Sequence, residues 1–531
     1  MDQEFAESVC HAGLAGAGGR GPGRKSLQPA ARPAKRGNFR GPSRLSFAPR
    51  PRAHGLLSAR SGAAGSMARR PDFFATSRRY RLFSAAAMPP TDGRPQRTRP
   101  ATRPAEPSRP QRRGGGGGAA GGEAAPRRRT QGGHPRPAVR GPHVKVPHEV
   151  ARLLRAGHPW VFRNAVLRPL ALPEGAVIPV MDLDGYLIGH GLHEPEGAIA
   201  IRMLSLAPEF EWNEAEMLAR VRASVRRRGA TVPPEACRLI HNEADGFPGL
   251  AVDRLGNYLL VYKYAKIAES YLDALVPILE QEFKPAGIYM QDRVRGVTPD
   301  ERRPPAFHLA GKAAPPELEV DEDGLKFLVD VTAPVSPGLF LDLREGRRLF
   351  EAWSRDRSVC NLFSFTGAFG LRALRGGARS VTHVDAAARS HARCRQNLSA
   401  SKMDPEAIEA ITGDAFALLE KFRQRGRVWD LVIVDPPPFS NVKGSTFSAL
   451  KDYGELMRAV SGVVSPGGHV LAISNAVRLG EEEFLLAVGE GVHAAGRAAR
   501  LVGECGLPPD FPVPPAFIEG RYLKIKLLQF D

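Results

Sequence analysis

Ser358-Val-Cys-Asn-Leu-Phe-Ser-Phe-Thr-Gly367 and Trp429-Asp-Leu-Val-Ile-Val-Asp-Pro-Pro-Pro-Phe-Ser440 decide the fold of this chain. Each is a short apolar run that stops abruptly, the first in a turn of small residues and the second in a run of prolines. Runs of this length, bounded in this way, read as strands buried on both faces. The pattern continues around them. Ala368 to Leu374 reads as a helix, Ser380 to Asp385 as a strand, 387–401 as a helix, and Ile408 to Thr412 and Leu431 to Val434 as strands. Gly468 to Ser474 supplies a fifth strand, and Leu523 to Leu528 closes the sheet. Alternation of strand and helix predicts an α/β domain built on a doubly wound parallel sheet. Such sheets take ligands outside the carboxyl ends of their strands.

The residues at those ends carry chemistry. Asp385 lies at the end of the second strand, where a carboxylate can accept both hydroxyl protons of a ribose diol. Gly367 permits close backbone approach to a ligand. The turn Asn361 to Gly367 lacks the Gly-x-Gly-x-x-Gly spacing of a dinucleotide site, so hydride transfer is disfavoured. Asp414, just past the third strand, has two readings: a contact to an adenine amino group, or a helix cap. In Asp435-Pro-Pro-Pro-Phe439 the prolines fix φ and cannot donate, so the turn holds its carbonyls outward, while Phe439 offers a face for a base. A proline run that merely ends a strand is the plainer alternative.

Upstream, ordered sequence begins near His143. A short amphipathic helix ends at Gly157, and His158-Pro-Trp-Val-Phe162 leads into short β runs at Val177 to Met181, Tyr186 to Gly189 and Ala198 to Leu204. That spacing predicts a small β-rich module over 141–212. Trp160 and Phe162 could stack bases or simply fill the core. A mixed α/β unit is expected over 213–332, with a hairpin turning at Asp323-Gly324, and the main sheet over 333–531. Glu243, Asp245 and Asp253 resemble a metal cluster by composition, but turn and capping roles account for them, and no metal is expected.

The net charge of +19 is local: residues 1–140 hold 28 of the 75 Lys and Arg and 7 of the 56 Asp and Glu. That Arg-, Gly- and Pro-rich stretch is expected to be a disordered basic tail. Three readings remain: an arm attracted to phosphate backbones, an upstream stretch ahead of a start at Met67 or Met88, or a transit peptide. The five cysteines, Cys10, Cys237, Cys360, Cys394 and Cys505, show no paired spacing, so neither disulfides nor zinc is expected and a cytoplasmic location fits. No stretch approaches the roughly 20 apolar residues of a membrane span, so no membrane partner is expected.

Several motifs in order resemble the class I S-adenosylmethionine-dependent methyltransferases of large-subunit ribosomal RNA. His158 to Phe162 resembles the start of the family's PUA-like RNA-binding module, Asn242 to Arg254 its central segment, and Gly338 to Arg344 its entry to a Rossmann-like catalytic domain. Asn361 to Gly367 and Asp435 to Phe439 resemble its cofactor and substrate motifs. The resemblance implies that Asn361, Phe363, Ser364, Thr366 and Gly367 wrap the methionine end of S-adenosylmethionine, with Asp385 on the ribose, Asp414 on the adenine side and Asp435 beside them. It implies catalytic placement by Asp435, Pro436, Pro437 and Phe439, and the approach to the transferred methyl by Phe340, Asp342 and Arg344; Asn441 and Asn475 could hydrogen-bond a base edge or be ordinary loop residues, and Trp160 is the further candidate for contact with the substrate. The partner implied is large-subunit ribosomal RNA, and a homodimer stays open.

One departure bears on the reaction. Family members that make 5-methylcytosine use a cysteine at a late strand end or in the proline motif, where this chain has Ile473-Ser-Asn-Ala-Val477 and Pro436-Pro-Pro-Phe-Ser440. Phe439 to Lys443 and Ser474-Asn475 instead resemble the branch that methylates guanine at N7. Methylation at a nitrogen, with N7 favoured, is therefore expected. The alternatives are 5-methylcytosine formation and a ribosome-assembly protein that no longer turns over.

Overall fold

The computed structural model describes residues 141–531, apart from 169–170, 230–231, 295–303, 443–444 and the side chains of 441–446. The basic tail expected at 1–140, its alternative starts and Cys10 lie outside the described residues.

The first module comprises β1 (Val144–Val146), α1 (His148–Arg155), β2 (Trp160–Phe162), β3 (Val177–Asp182), β4 (Leu187–His193) and β5 (Ile199–Ser205). They form one sheet of order β1-β3-β4-β5-β2. Alternate apolar residues such as Ile178, Val180 and Ile201 pack with Ala151 and Leu154 of α1 into a small core.

The next unit contains α2 (Glu214–Arg228), β6 (Ala236–His241), β7 (Leu250–Leu255), β8 (Tyr258–Lys263), α3 (Glu269–Phe283), β9 (Gly287–Asp292) and β10 (Phe307–Gly311), in sheet order β10-β9-β8-β7-β6. Only β8 and β9 run parallel, and α3 makes the crossover that a parallel pair requires. The hairpin β11 (Leu318–Glu322) and β12 (Leu325–Val329) follows. Its turn puts Asp323 and Gly324 both at positive φ, 56° and 84°, which matches the right-handed twist of the strands. Asn397 and Ser401 of the following domain accept from the backbone N–H groups of Leu328 and Lys326, so the hairpin is seated on that domain.

The last domain runs α4 (Arg344–Ala352), β13 (Ser358–Leu362), α5 (Ala368–Arg375), β14 (Ser380–Asp385), α6 (Ala388–Ala400), β15 (Ile408–Thr412), α7 (Ala415–Gln424), β16 (Trp429–Val434), hairpin β17 (Phe439–Val442) and β18 (Ser445–Ser448), α8 (Ala449–Ser461), β19 (Val464–Ser474), α9 (Glu481–Ala494), β20 (Ala499–Cys505) and β21 (Lys524–Phe530). The seven-stranded sheet has order β15-β14-β13-β16-β19-β21-β20. Successive residues of one strand feed different cores: Val359, Leu431 and Ile433 pack on one face, Cys360, Val432 and Val434 on the other. That is why these strands read as unbroken apolar runs.

Strand order reverses at β13, which pairs with β14 on one side and β16 on the other, so the crevice opens at the carboxyl ends of those strands. The expected all-parallel sheet is corrected at one edge. β21 runs antiparallel between β19 and β20. β20 escaped the sequence reading because it is an edge strand with Leu501 and Val502 exposed, so it shows no buried apolar run. Among the described residues no helix is long and apolar enough to cross a membrane.

Candidate active site

The turn after β13 is left-handed at every second residue: Phe363, Phe365 and Gly367 have φ of 58°, 46° and 87°. Gly367 needs to be glycine, since a Cβ there would meet Cys394 Sγ at 2.4 Å. For the two phenylalanines the conformation costs about 1–3 kcal/mol each, and surrounding bonds hold it. Ser364 N–H donates to Val384 O (3.0 Å), Phe365 N–H to Asp385 Oδ2 (2.8 Å), Thr366 Oγ1 to Gly338 O (2.6 Å), and Asn397 Nδ2 to Thr366 O (2.9 Å).

Asp385 closes the same knot from β14. Its other oxygen accepts from Ala387 N–H at 2.8 Å, so each carboxylate oxygen keeps a lone pair for a ligand. Asp414 takes the helix-cap role: its carboxylate caps α7 through Ala417 N–H (2.9 Å), and the residue also lines the pocket.

A pocket of about 420 Å³ lies at this edge of the sheet. That is within the roughly 300–1,000 Å³ of small-molecule sites. Asn361, Phe363, Ser364, Thr366, Asp385 and Asp414 line it from β13, β14 and β15. Asp435, Pro436 and Pro437 contribute from the end of β16, Phe340 and Asp342 from the lead into α4, and Asn475 from the end of β19. Two buried polar atoms on these residues, Ser364 Oγ and Asn475 Oδ1, have no hydrogen-bond partner. Polar atoms left bare in a pocket are costly unless something fills it.

Asp435 makes no side-chain hydrogen bond among the described residues. Burial pushes its carboxyl up to about 7, the neighbouring Asp342 carboxylate adds to the rise, and Arg347 opposes it. Burial also raises Asp342, opposed by the Tyr522 hydroxyl, which donates to Asp342 Oδ2 at 2.9 Å. An aspartate whose folded pKa lies above the unfolded value binds more protons when folded, so its contribution to stability declines between about pH 4 and pH 7. Asp435→Asn is therefore expected to raise the melting temperature at pH 8 and leave it nearly unchanged at pH 4. A shift of equal size at both pH values would show that charge on Asp435 is not the cause.

Four expected site residues stand outside the pocket lining. Gly367 closes the turn as the N-cap of α5. Arg344 is fully buried, donating to Asp510 Oδ1 at 2.7 Å and Ala236 O at 2.7 Å; it joins the last domain to the one before it. Trp160 is 1% exposed, with its ring 4.6 Å from that of Phe517 and its indole N–H donating to Glu243 at 2.9 Å. A ring enclosed this way has no free face for a base. Phe439 is 57% exposed and outside the lining. For Asn441 only the backbone, in β17, is described.

The structure adds residues that the sequence reading missed. Arg347 lines the pocket one helical turn after Arg344, a spacing that could have drawn attention to it. Phe365 alternates with the expected turn residues, and Phe416 follows two residues after Asp414. Phe447, with its ring 6.1 Å from that of Phe416, comes from β18, and no local signal marks it.

A family model described as S-adenosylmethionine-dependent methyltransferase matches residues 237–521. The chain belongs to this family. A second model, of a PUA-like domain, matches residues 144–206. Curated relatives include the ribosomal RNA large subunit methyltransferases I of Photobacterium profundum and Serratia proteamaculans. The first is 30% identical over 376 residues, covering 70% of this chain and 95% of that protein; the second is 31% identical over 372 residues, covering 69% and 94%. Among solved structures, a methyltransferase complexed with SAH superposes with a TM-score of 0.66 at 24% identity over 73% of this chain and 99% of its own. A SAM-dependent methyltransferase from Streptococcus mutans gives 0.64 at 23% over the same shares.

The protein is thus an S-adenosylmethionine-dependent methyltransferase with a PUA-like module ahead of a Rossmann-like domain, as the motifs led one to expect. The pocket suits that cofactor. Asp385 keeps spare acceptor capacity, Phe363, Phe416 and Phe447 supply apolar walls, and the unpaired Ser364 hydroxyl awaits a polar group. Among the described residues no three His, Cys, Asp or Glu side chains gather as metal ligands.

Proposed function

We propose that this enzyme methylates a base of large-subunit ribosomal RNA at a nitrogen, with N7 of guanine favoured, in the cytoplasm. The RNA target is supported by relatives of that name, matched over nearly their whole length, and by the PUA-like module. The choice of atom rests on one observation: among the described residues no cysteine lines the pocket. Cys237 and Cys394 are buried and their thiols pushed up to about 12, and burial raises Cys360 still further. Cys505 lies on the edge strand β20, with burial raising it to about 12. Thiols of this kind are poor nucleophiles.

Bound S-adenosylmethionine supplies a methyl group activated by its sulfonium. The protein's part is placement. Asp385 accepts from the ribose hydroxyls, Asp414 with Phe416 and Phe447 brackets the adenine, and Asn361, Ser364 and Thr366 hold the methionine end. Asp435 and the rigid Pro436-Pro437 turn set the base in line, with Asn475 on its edge. A ring nitrogen attacks with its own lone pair, so alignment does the work that an enzyme thiol does in carbon methylation.

Two measurements check this. Mass spectrometry of large-subunit RNA nucleosides from a strain lacking the gene should show loss of one N-methylated base. RNA containing 5-fluorocytosine should give no covalent complex, and Cys360→Ser, Cys394→Ser and Cys505→Ser should each retain methyl transfer. A trapped adduct that disappears in one of these variants would establish 5-methylcytosine chemistry instead.

A further inference from the structure

Phe439, the aromatic residue that the proline motif offers as a stacking face, lies outside the pocket lining. Of the six phenylalanines in the lining, Phe363, Phe416 and Phe447 are the walls assigned to the cofactor and Phe369 is buried, which leaves Phe340 and Phe365. Phe340 and Phe365 have ring centroids 5.4 Å apart at 40°. Phe365 is half-buried in the wall, and Phe340 is 39% exposed, so the pair runs from the interior of the pocket to its mouth.

Both are held through their backbones, which leaves the rings to make contacts. Phe365 N–H is fixed by Asp385, and Phe340 O accepts from Arg347 Nη1 at 2.8 Å, with Arg347 itself clamped on buried Glu322. A bulky residue at φ 46° is a rare conformation, sustained here by the knot around it. Large apolar rings at a mouth exposed to water gain most when a flat partner covers them. Among the described residues, the polar groups of the same pocket left without a protein partner include the Asp435 carboxyl and Asn475 Oδ1, beside the Ser364 hydroxyl assigned to the cofactor. Asn475 Oδ1 can only accept, and so can ionised Asp435.

We infer that Phe340 and Phe365 form the face on which the target base stacks, while Asn475 and Asp435 read a base edge that offers N–H donors. The substrate class is then an amino-bearing base, such as guanine, and uracil is disfavoured. This rests on the RNA reading above and gives it a specificity device.

The test uses the full-length enzyme, labelled S-adenosylmethionine and large-subunit RNA from cells lacking the gene. Phe365→Leu and Phe340→Leu are each expected to raise KM for RNA by about tenfold, in keeping with the loss of one base–aromatic stack. Cofactor affinity by calorimetry should change less than about twofold on that account, and Phe365→Tyr, which keeps a ring, should restore the RNA KM. Phe340→Leu alters an exposed side chain, so it reports even if Phe365→Leu fails to fold. Unchanged RNA KM in the Leu variants overturns the assignment, as does an equal loss of cofactor affinity, which would make the rings part of the cofactor site. A methylated uridine product overturns the edge reading. If the wild-type enzyme transfers no methyl group to this RNA, the ribosomal target itself fails and the assignment fails with it.

Discussion

Glu322→Ala is expected to destabilise the catalytic domain by about 3–5 kcal/mol, the penalty for stranding buried charge. Glu322 is fully buried at the end of β11 and accepts from Arg347 Nε (2.8 Å), Arg347 Nη2 (2.6 Å) and Arg372 Nη2 (2.9 Å), with Arg344 Nε at 3.5 Å. Arg344 and Arg372 keep other carboxylates, Asp510 and Asp323 among them. Among the described residues Arg347 keeps only the Phe340 carbonyl as a hydrogen-bond partner, so the pocket wall should loosen as well. Burial alone would raise the Glu322 carboxyl, but Arg347, Arg372 and Arg344 outweigh it and hold it at about 2. A depressed carboxylate contributes stability above the unfolded value of 4.5 that is lost as pH falls toward 2. Urea denaturation should therefore show a smaller midpoint for the variant at pH 7 and a narrower gap from wild type at pH 3. A gap that does not narrow would mean that packing, not charge, is what Glu322 supplies.

Asp385→Ala is expected to weaken S-adenosylmethionine binding about 10- to 100-fold, from about 1.5–3 kcal/mol for a charge-assisted contact. The carboxylate has two duties here. It holds the N–H groups of Phe365 and Ala387, and it keeps lone pairs free for hydroxyl donors. Asp385→Asn retains an oxygen acceptor but places an amide nitrogen where one backbone N–H needs an acceptor, so it should fall between wild type and Ala. Calorimetric titration with the cofactor decides the matter; an unchanged dissociation constant for Asp385→Ala removes the residue from the ribose site.

The strand ends were legible in the sequence because the rules that create them are local. A short strand-forming run followed by a breaker marks a strand end, and Asp385, Asp414 and Asp435 each stand at or just past one. All three line the pocket. The small-residue turn after β13 could be read in the same way, since Gly367 answers to a left-handed φ and the close approach of Cys394. Arg344, Trp160 and Phe439 show where such reading stops. Arg344 belongs to Asp510, 166 residues away, and Trp160 to Glu243 and Phe517. Arg347, by contrast, enters the pocket wall because Glu322 waits on a hairpin 25 residues upstream, and Phe447 because β18 folds back beside Phe416. The sequence by itself determined which segments become strands and what their ends carry, since backbone preference and burial on two faces act over a few residues. Only the tertiary structure decided which arginine is spent on an ion pair and which aromatic ring faces the ligand, because buried charges and rings are placed by partners that lie far along the chain.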